Sequence, residues 1–414
     1  MFYSGISDNQ HVINLLERIK MSNKFFAPIV IALISYTGYQ IYRIPSPGNQ
    51  PPSQLLRVPA SEENSCANAL LPFYKNQNLE RMKSRISATR SDPHKFYRSF
   101  PPLYFKIIED LNLEEDLGSV FKHQSVIGGD VHVENFGVRP FKGKLKILIN
   151  DFDDLSEGHT VMDVIRLLTS MKLSGYDVDK KFIKEFMQRY AEGLKGEKEN
   201  FSEATMRFFK AAKKAKRIDK KKIDTVAKTF IKKREPSFDM TEKEIKDWKK
   251  IMSEYGTVVD HYKYIKESGG SGGLDRFELL IEKDGELLWV EAKEWDVPGI
   301  NAGLGTTPPT YQKRIEYVHR YDQPEFPSQT AKYNGKVFFL REINDSHVGL
   351  SLDEIKKSEM KDLYLDEAYA LGDFHRTFNA NKEYISDIKN LKASAIDDAV
   401  NKVYEEILAY VEKI

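Results

Sequence analysis

With one cysteine, Cys66, the chain cannot close an intramolecular disulfide, and no Cys/His group stands at zinc-ligand spacing. Disulfide scaffolds and zinc modules are excluded. An excess of charge is also missing: 63 Lys and Arg against 62 Asp and Glu leave a formal net charge of +1. That balance argues against a histone-like or general nucleic-acid binder. Internal repeats are absent, and the one long uncharged apolar run is residues 25–42. What is present is a 414-residue chain, 41% hydrophobic and 12% aromatic, which is ample for a packed core and too apolar for general disorder.

Residues 25–42 follow Arg18, Lys20 and Lys24, and a basic flank before an uncharged stretch is the pattern of a signal peptide or signal anchor. This pattern predicts membrane association or export through residues 25–42, with a cytoplasmic location as the alternative. Residues 45–54, rich in Pro, Ser, Gly and Gln, read as a linker, so residues 1–54 form a leader and folded structure starts near Leu55.

Residues 55–125 carry helical patterning, interrupted at Ser91-Asp92-Pro93 and Phe100-Pro101-Pro102. Alternation at 137–141 and 145–149 around Lys142-Gly143 predicts a hairpin. Val161, Val164, Ile165 and Leu168 follow helix spacing, with Gly175 as the stop. Residues 180–250 read as helical and rich in lysine. The twelve Lys and Arg between 210 and 234 read as solvated helix faces, because aromatic residues do not alternate with the charges for base stacking. No specific nucleic-acid binding is expected. Strands follow at 277–281 and 288–292 around Asp284-Gly285, and again at 336–343, before a helical stretch at 363–414. The fold class is therefore α+β. The chain divides into a helical lobe at 55–255, a small β-lobe at 256–350, and C-terminal helices at 351–414 that pack back on the helical lobe.

The chemistry concentrates in Gly129-Asp130-Val131-His132-Val133-Glu134-Asn135-Phe136-Gly137 and, one strand later, Asn150-Asp151-Phe152-Asp153-Asp154. An acidic residue with an Asn five positions on, then a strand ending in Asp, matches the needs of phosphoryl transfer from Mg-ATP. One carboxylate orients the acceptor hydroxyl, while Asn and Asp oxygens hold the hard magnesium ion. Asp130 and His132 are the catalytic candidates, Asp130 as base and His132 as a hydrogen-bonding brace of the loop. Asn135, Asp151 and Asp153 are the metal candidates. The acidic run is not a calcium loop, since it lacks the EF-hand glycine and terminal glutamate.

This loop resembles the G-D-x-H-x-x-N loop of aminoglycoside and choline kinase-like enzymes. More closely, the chain resembles the bacterial family catalogued as domain of unknown function 2252. Its G-D-x-H-x-x-N-F-G loop and N-D-F-D segment correspond to residues 129–137 and 150–153, its R-M and F-x-R block to Arg81-Met82 and Phe96-Tyr97-Arg98, and its following segment to Asp163-Val164-Ile165-Arg166-Leu167. The resemblance implies a two-lobed, protein-kinase-like fold. A glycine turn at 268–273 precedes a strand pair ending in Lys293, the family's G-x-G-S-x-G…K pattern. Gly269, Gly270, Ser271 and Gly272 are the candidates to approach the phosphates of ATP, and Lys293 to neutralise them. Glu316, in the helical stretch 312–320, is the expected carboxylate partner of Lys293. The same turn spells G-x-S-x-G, but a hydrolase elbow needs a helix after it, and a hairpin follows here.

Kinases run glycine loop, lysine, then catalytic loop, whereas here the catalytic loop comes first. The expected architecture is thus a circularly permuted kinase-like fold. The expected function is ATP- and Mg-dependent phosphotransfer to a small-molecule or protein hydroxyl. The rival readings are a nucleotide-binding pseudokinase scaffold and a nucleotidyl (AMP) transferase.

Overall fold

A computed structural model describes residues 60–75, 77–266, 269–322, 326–378 and 382–413. All of them belong to one compact unit, Val58–Ile414. The architecture is mixed α+β, as the patterning implied.

Five helices occupy the first part: Ala60–Leu70, Leu79–Thr89, Pro93–Ser99, Pro101–Asp110 and Leu113–Leu117. The interruptions read from the sequence are caps. Asp92 accepts from the Lys95 N–H at 3.1 Å with Pro93 in the first turn, where its missing N–H costs nothing. Phe136–Phe141 and Lys144–Ile149 then form the expected hairpin. Thr160–Leu173 forms the expected helix, closed by the Tyr176 N–H bonding back to the Met171 carbonyl at 3.1 Å.

The lysine-rich region differs from expectation. Lys180–Lys195, Glu203–Lys214 and Glu242–Ile251 are helices, but the chain between them carries only the two-residue strands Ile223–Asp224, Thr229–Phe230 and Ser237–Phe238. Thr225, Val226, Thr229 and Ile231 favour extended backbone, and Pro236 cannot donate within a helix. Ile223 and Phe230 bury themselves instead against Tyr262, Leu280 and Trp289.

The main sheet has six antiparallel strands in the order Gln329–Tyr333, Lys336–Glu342, Glu286–Glu294, Asp275–Lys283, Thr257–Ile265 and Ser237–Phe238. Alternation divides its faces. Phe277, Leu279, Ile281, Leu288, Val290, Ala292, Phe338 and Leu340 pack on one side with Trp248 and Met252 of the Glu242–Ile251 helix and its end. The other face carries Arg276, Glu278, Glu291, Lys293 and Arg341. Register sets Lys293 opposite Arg276, and Glu291 opposite both Glu278 and Arg341. A sheet with one greasy and one charged face covers a polar site.

The membrane expectation is corrected. Among the described residues no helix is long and apolar enough to cross a membrane. Residues 25–42 lie outside the described residues. Membrane association and export through this segment are withdrawn.

Candidate functional site

The loop around Asp130 hangs from one buried carboxylate. Asp163, in the first turn of the Thr160–Leu173 helix, accepts from the Gly128 N–H at 2.7 Å and the Gly129 N–H at 3.1 Å. His375 Nε2, from the Met360–Thr377 helix, lies 3.1 Å from the same carboxylate. Gly129 is required where it stands: its φ is +75°, and a Cβ there would lie 2.4 Å from the Asp154 carbonyl oxygen. Two helices thus fix one loop.

One oxygen of Asp130 accepts from Arg166 Nη2 at 2.5 Å. Arg166 is fully buried, with its guanidinium 4.4 Å from the Tyr97 ring and 4.9 Å from that of Tyr104. Burial raises the Asp130 carboxyl above its ordinary range, opposed by Arg166. His132 Nε2 stands 3.9 Å from the other Asp130 oxygen, and its Nδ1 accepts from the Glu134 N–H at 3.2 Å. Burial, helped by Arg98, holds His132 well below the usual histidine range, so it is neutral at pH 7. A neutral imidazole bonded within its own loop suits the bracing role.

Asn135 joins the two acidic segments. Its Nδ2 donates to the Asp130 carbonyl at 2.9 Å, and its Oδ1 accepts from the Asp151 N–H at 3.0 Å. Across the cleft Lys293 Nζ lies 3.2 Å from Asp151 Oδ2 and contacts Asp153 directly. Burial lowers the Lys293 ammonium to about 8, with Asp151 acting against that shift. Asp151 is raised by burial, but Lys293 and Arg341 outweigh this and hold it below the carboxylate range. Arg341 Nη1 is 3.8 Å from Asp151 and bonds Glu291 through Nε at 2.7 Å. Asp154 takes the Gly299 N–H at 2.5 Å, and burial with the nearby Asp130 charge raises it to about 7.

The glycine turn sits over this cleft. A Cβ on Gly270 would lie 3.1 Å from Asp130 Oδ2, tighter than ordinary van der Waals contact, so the backbone comes close to that carboxylate. Ser271 Oγ accepts from Arg276 at 2.5 Å. Gly269, Gly270, Ser271, Gly272, Asp130, His132, Asn135, Asp151, Asp153 and Lys293 are therefore brought together. Glu316 is not. It is exposed on the Tyr311–Tyr321 helix, whose inward residues include Arg314, bonded to the carbonyls of Asp153 and Asp296. The carboxylates at Lys293 are Asp151 and Asp153.

Sequence reasoning gave no role to Asp163, Asp154 or His375 and missed Arg276 and Arg341. Asp163 and Arg166 stand three apart on one helix, a spacing that could have flagged them as a pair facing the loop. Arg276 and Arg341 follow from strand register, which single-strand patterning does not reveal.

Among the described residues no group of three His, Cys, Asp or Glu side chains could hold a metal ion. Asn135, Asp151 and Asp153 nevertheless offer a hard donor set. Of the two buried Asp153 carboxylate oxygens, Oδ2 contacts Lys293 and Oδ1 has no hydrogen-bond donor. Magnesium uses one or two protein carboxylates and completes its shell with water and phosphate, so these residues fit it. Beside Asp151 opens a cavity of about 670 Å³, lined by Asn150 and Phe152, by Trp289, Phe339 and Arg341 of the sheet, and by Lys222, Lys232, Lys233 and Arg234.

No curated protein and no solved structure matches the chain. A family model does, at residues 78–263, a stretch that holds the Asp130 and Asp151 segments and stops before the glycine turn and Lys293. On that stretch, the chain is similar to the bacterial family described as "Uncharacterized protein conserved in bacteria (DUF2252)".

Proposed function

We propose that the protein is an ATP- and Mg-dependent phosphotransferase of permuted, kinase-like architecture. The observation that carries the reading is the Lys293–Asp151 ion pair, 142 residues apart in sequence, under a glycine turn that touches Asp130. In kinases a glycine-rich loop covers the phosphates, a lysine on a following strand pairs with them, and an Asp and an Asn hold the metal. The same relation exists here: the glycine turn joins strands Thr257–Ile265 and Asp275–Lys283, and the next strand, Glu286–Glu294, carries Lys293. The permuted order is supported by residues 343–349. They leave the sheet, pair Val348 with Val138 of the hairpin, and lead towards the helix whose His375 steadies the Asp130 loop.

In this reading the nucleoside occupies the cavity against Trp289 and Phe339, whose size falls in the range of ligand pockets. Asn135, Asp151 and Asp153 would hold magnesium, which shields phosphate charge when bound. Lys293 would leave Asp153 for the phosphates. Asp130, fixed at one oxygen by Arg166, presents the other to the acceptor hydroxyl and receives its proton. Intact Asp130, Asn135, Asp151 and Lys293 weigh against a scaffold.

The test is incubation of the purified chain with γ-labelled ATP, Mg²⁺ and a bacterial metabolite extract. Label moving to an acceptor supports the reading, with Asp130→Ala abolishing transfer. Transfer of AMP mass instead would favour nucleotidyl transfer, and ATP left intact throughout would refute catalysis.

A further inference from the structure

The glycine turn is tied down from behind. Gln77 Nε2 donates to the Gly272 carbonyl at 3.0 Å, Arg81 Nη1 to the Gly273 carbonyl at 2.7 Å, and Arg85 Nη2 to those of Gly269 and Gly270 at 3.2 Å each. On the opposite side the Gly269 N–H donates to Ser99 Oγ at 2.9 Å. Arg85 is itself immobilised, 1% exposed, with its guanidinium 4.5 Å from the Tyr74 ring and 4.9 Å from that of Phe100. Bonds from a charged donor are stronger than neutral ones. Two of these donors lie on one helix, Leu79–Thr89, one turn apart, and Gln77 just precedes it.

The turn so held lies close over Asp130. Gly270 lies against Asp130, as described above. The pocket beside it, lined by Gly270, Ser271, Pro101, Asp153 and Asp154, has a volume of about 30 Å³. That volume suits a water molecule or two, not a phosphate. Asp130 has one oxygen on Arg166 and the other under Gly270, and its side chain is only 13% exposed, so the turn narrows the approach of an acceptor hydroxyl or a transferring phosphate.

We propose that Gln77, Arg81 and Arg85 are a latch that holds the glycine turn shut over Asp130, and that nucleotide phosphates enter only when it releases. This rests on the phosphotransferase reading and adds regulation of the same site. The helix that carries the latch is separate from the sheet that carries the turn, so anything that shifts this helix changes access to Asp130.

The latch fixes the sign of a mutational effect. When only an open fraction of molecules binds, the apparent Kd is the intrinsic value divided by that fraction. Loosening the latch therefore tightens binding. If the same bonds instead hold the turn ready for phosphate, loosening them weakens it. Arg81 is suited to the test because its side chain is 36% exposed, and its truncation leaves the Arg85–Tyr74–Phe100 stack in place. Gln77→Ala provides a second variant, and Arg81→Lys, which keeps a donor, should restore wild-type behaviour.

The experiment measures Kd and association rate for Mg-ATP with wild type, R81A, Q77A and R81K, and amide exchange of residues 269–274 without nucleotide. In R81A and Q77A the latch requires faster exchange, faster association and a Kd lowered about three- to tenfold. Equal Kd in all four proteins, or weaker binding in R81A, would overturn the latch while leaving the phosphotransferase reading intact. Unchanged exchange in R81A would overturn it as well. No binding by any of the proteins would overturn the phosphotransferase reading, and the gating role with it.

Discussion

Replacing Asp163 tests how the Asp130 loop is held. Its side chain is wholly buried and takes three donors: the Gly128 and Gly129 N–H groups at 2.7 and 3.1 Å, and His375 Nε2 at 3.1 Å. Asp163→Ala leaves those donors in a sealed interior, and each orphaned donor costs about 1–3 kcal/mol. Water entering the space left behind would recover part of this, so the net loss is expected at about 3–5 kcal/mol. That is a large share of the roughly 5–15 kcal/mol that holds a domain together. Asp163→Asn keeps one acceptor oxygen and turns an N–H towards another donor, so an intermediate loss of about 2 kcal/mol is expected. The assay is urea unfolding, read as a drop in midpoint at constant slope. A change below about 1 kcal/mol for D163A would refute the reasoning, because it would mean the loop finds its donors other partners.

Three further outcomes are expected. Gly129→Ala places a Cβ 2.4 Å from the Asp154 carbonyl at a φ of +75°, so a melting scan should show a loss of about 2 kcal/mol or more. Glu316→Ala, at an exposed position, should leave stability within about 0.5 kcal/mol and Mg-ATP binding unchanged; a large loss of binding would restore Glu316 as the partner of Lys293. Asp154 is raised in the folded state from 3.8 to about 7, so its protonated form adds stability below pH 4 that is lost as pH rises towards 7. Asp154→Asn should flatten the fall in unfolding free energy across that window, and an unaltered pH profile would contradict the assignment.

Local signals carried much of the fold. The hairpins at Lys142-Gly143 and Asp284-Gly285 were legible because a two-residue turn and alternating flanks report on the same feature. The helix at Thr160–Leu173 was legible from its apolar spacing. The strand Thr257–Ile265 was not foreseen, because its buried positions, Val258 and Tyr262, are separated by a bulge that breaks the alternation. The lysines at 220–234 misled because helix-forming side chains dominate the composition, while Ile223, Phe230 and Trp289 decide the conformation through tertiary packing.

In the site, acidic residues and glycines could be named from spacing, since chemistry demands those types in that order. Their supports, apart from the Asp163–Arg166 spacing, carried no such signal. Arg166 and Asp163 act from a helix that reads as apolar, and Arg341 reaches Asp151 through a strand pairing. Glu316 was chosen because its helix follows Lys293, but the inward face of that helix carries Arg314, Ile315, Val318 and Tyr321.

The account rests on the claim that Asp151, Lys293 and the glycine turn together bind nucleotide, and titration of the full chain with ATP tests it most directly. The measurement is heat release with and without Mg²⁺, on wild type and Asp151→Ala, each checked for an intact apo fold by its melting curve. The account expects Mg-dependent binding in wild type, with stabilisation of about 2.7 kcal/mol at a hundredfold excess over Kd, and loss of the Mg²⁺ dependence in the variant. Absence of binding by wild type, or binding by Asp151→Ala with the same Mg²⁺ dependence, would contradict it.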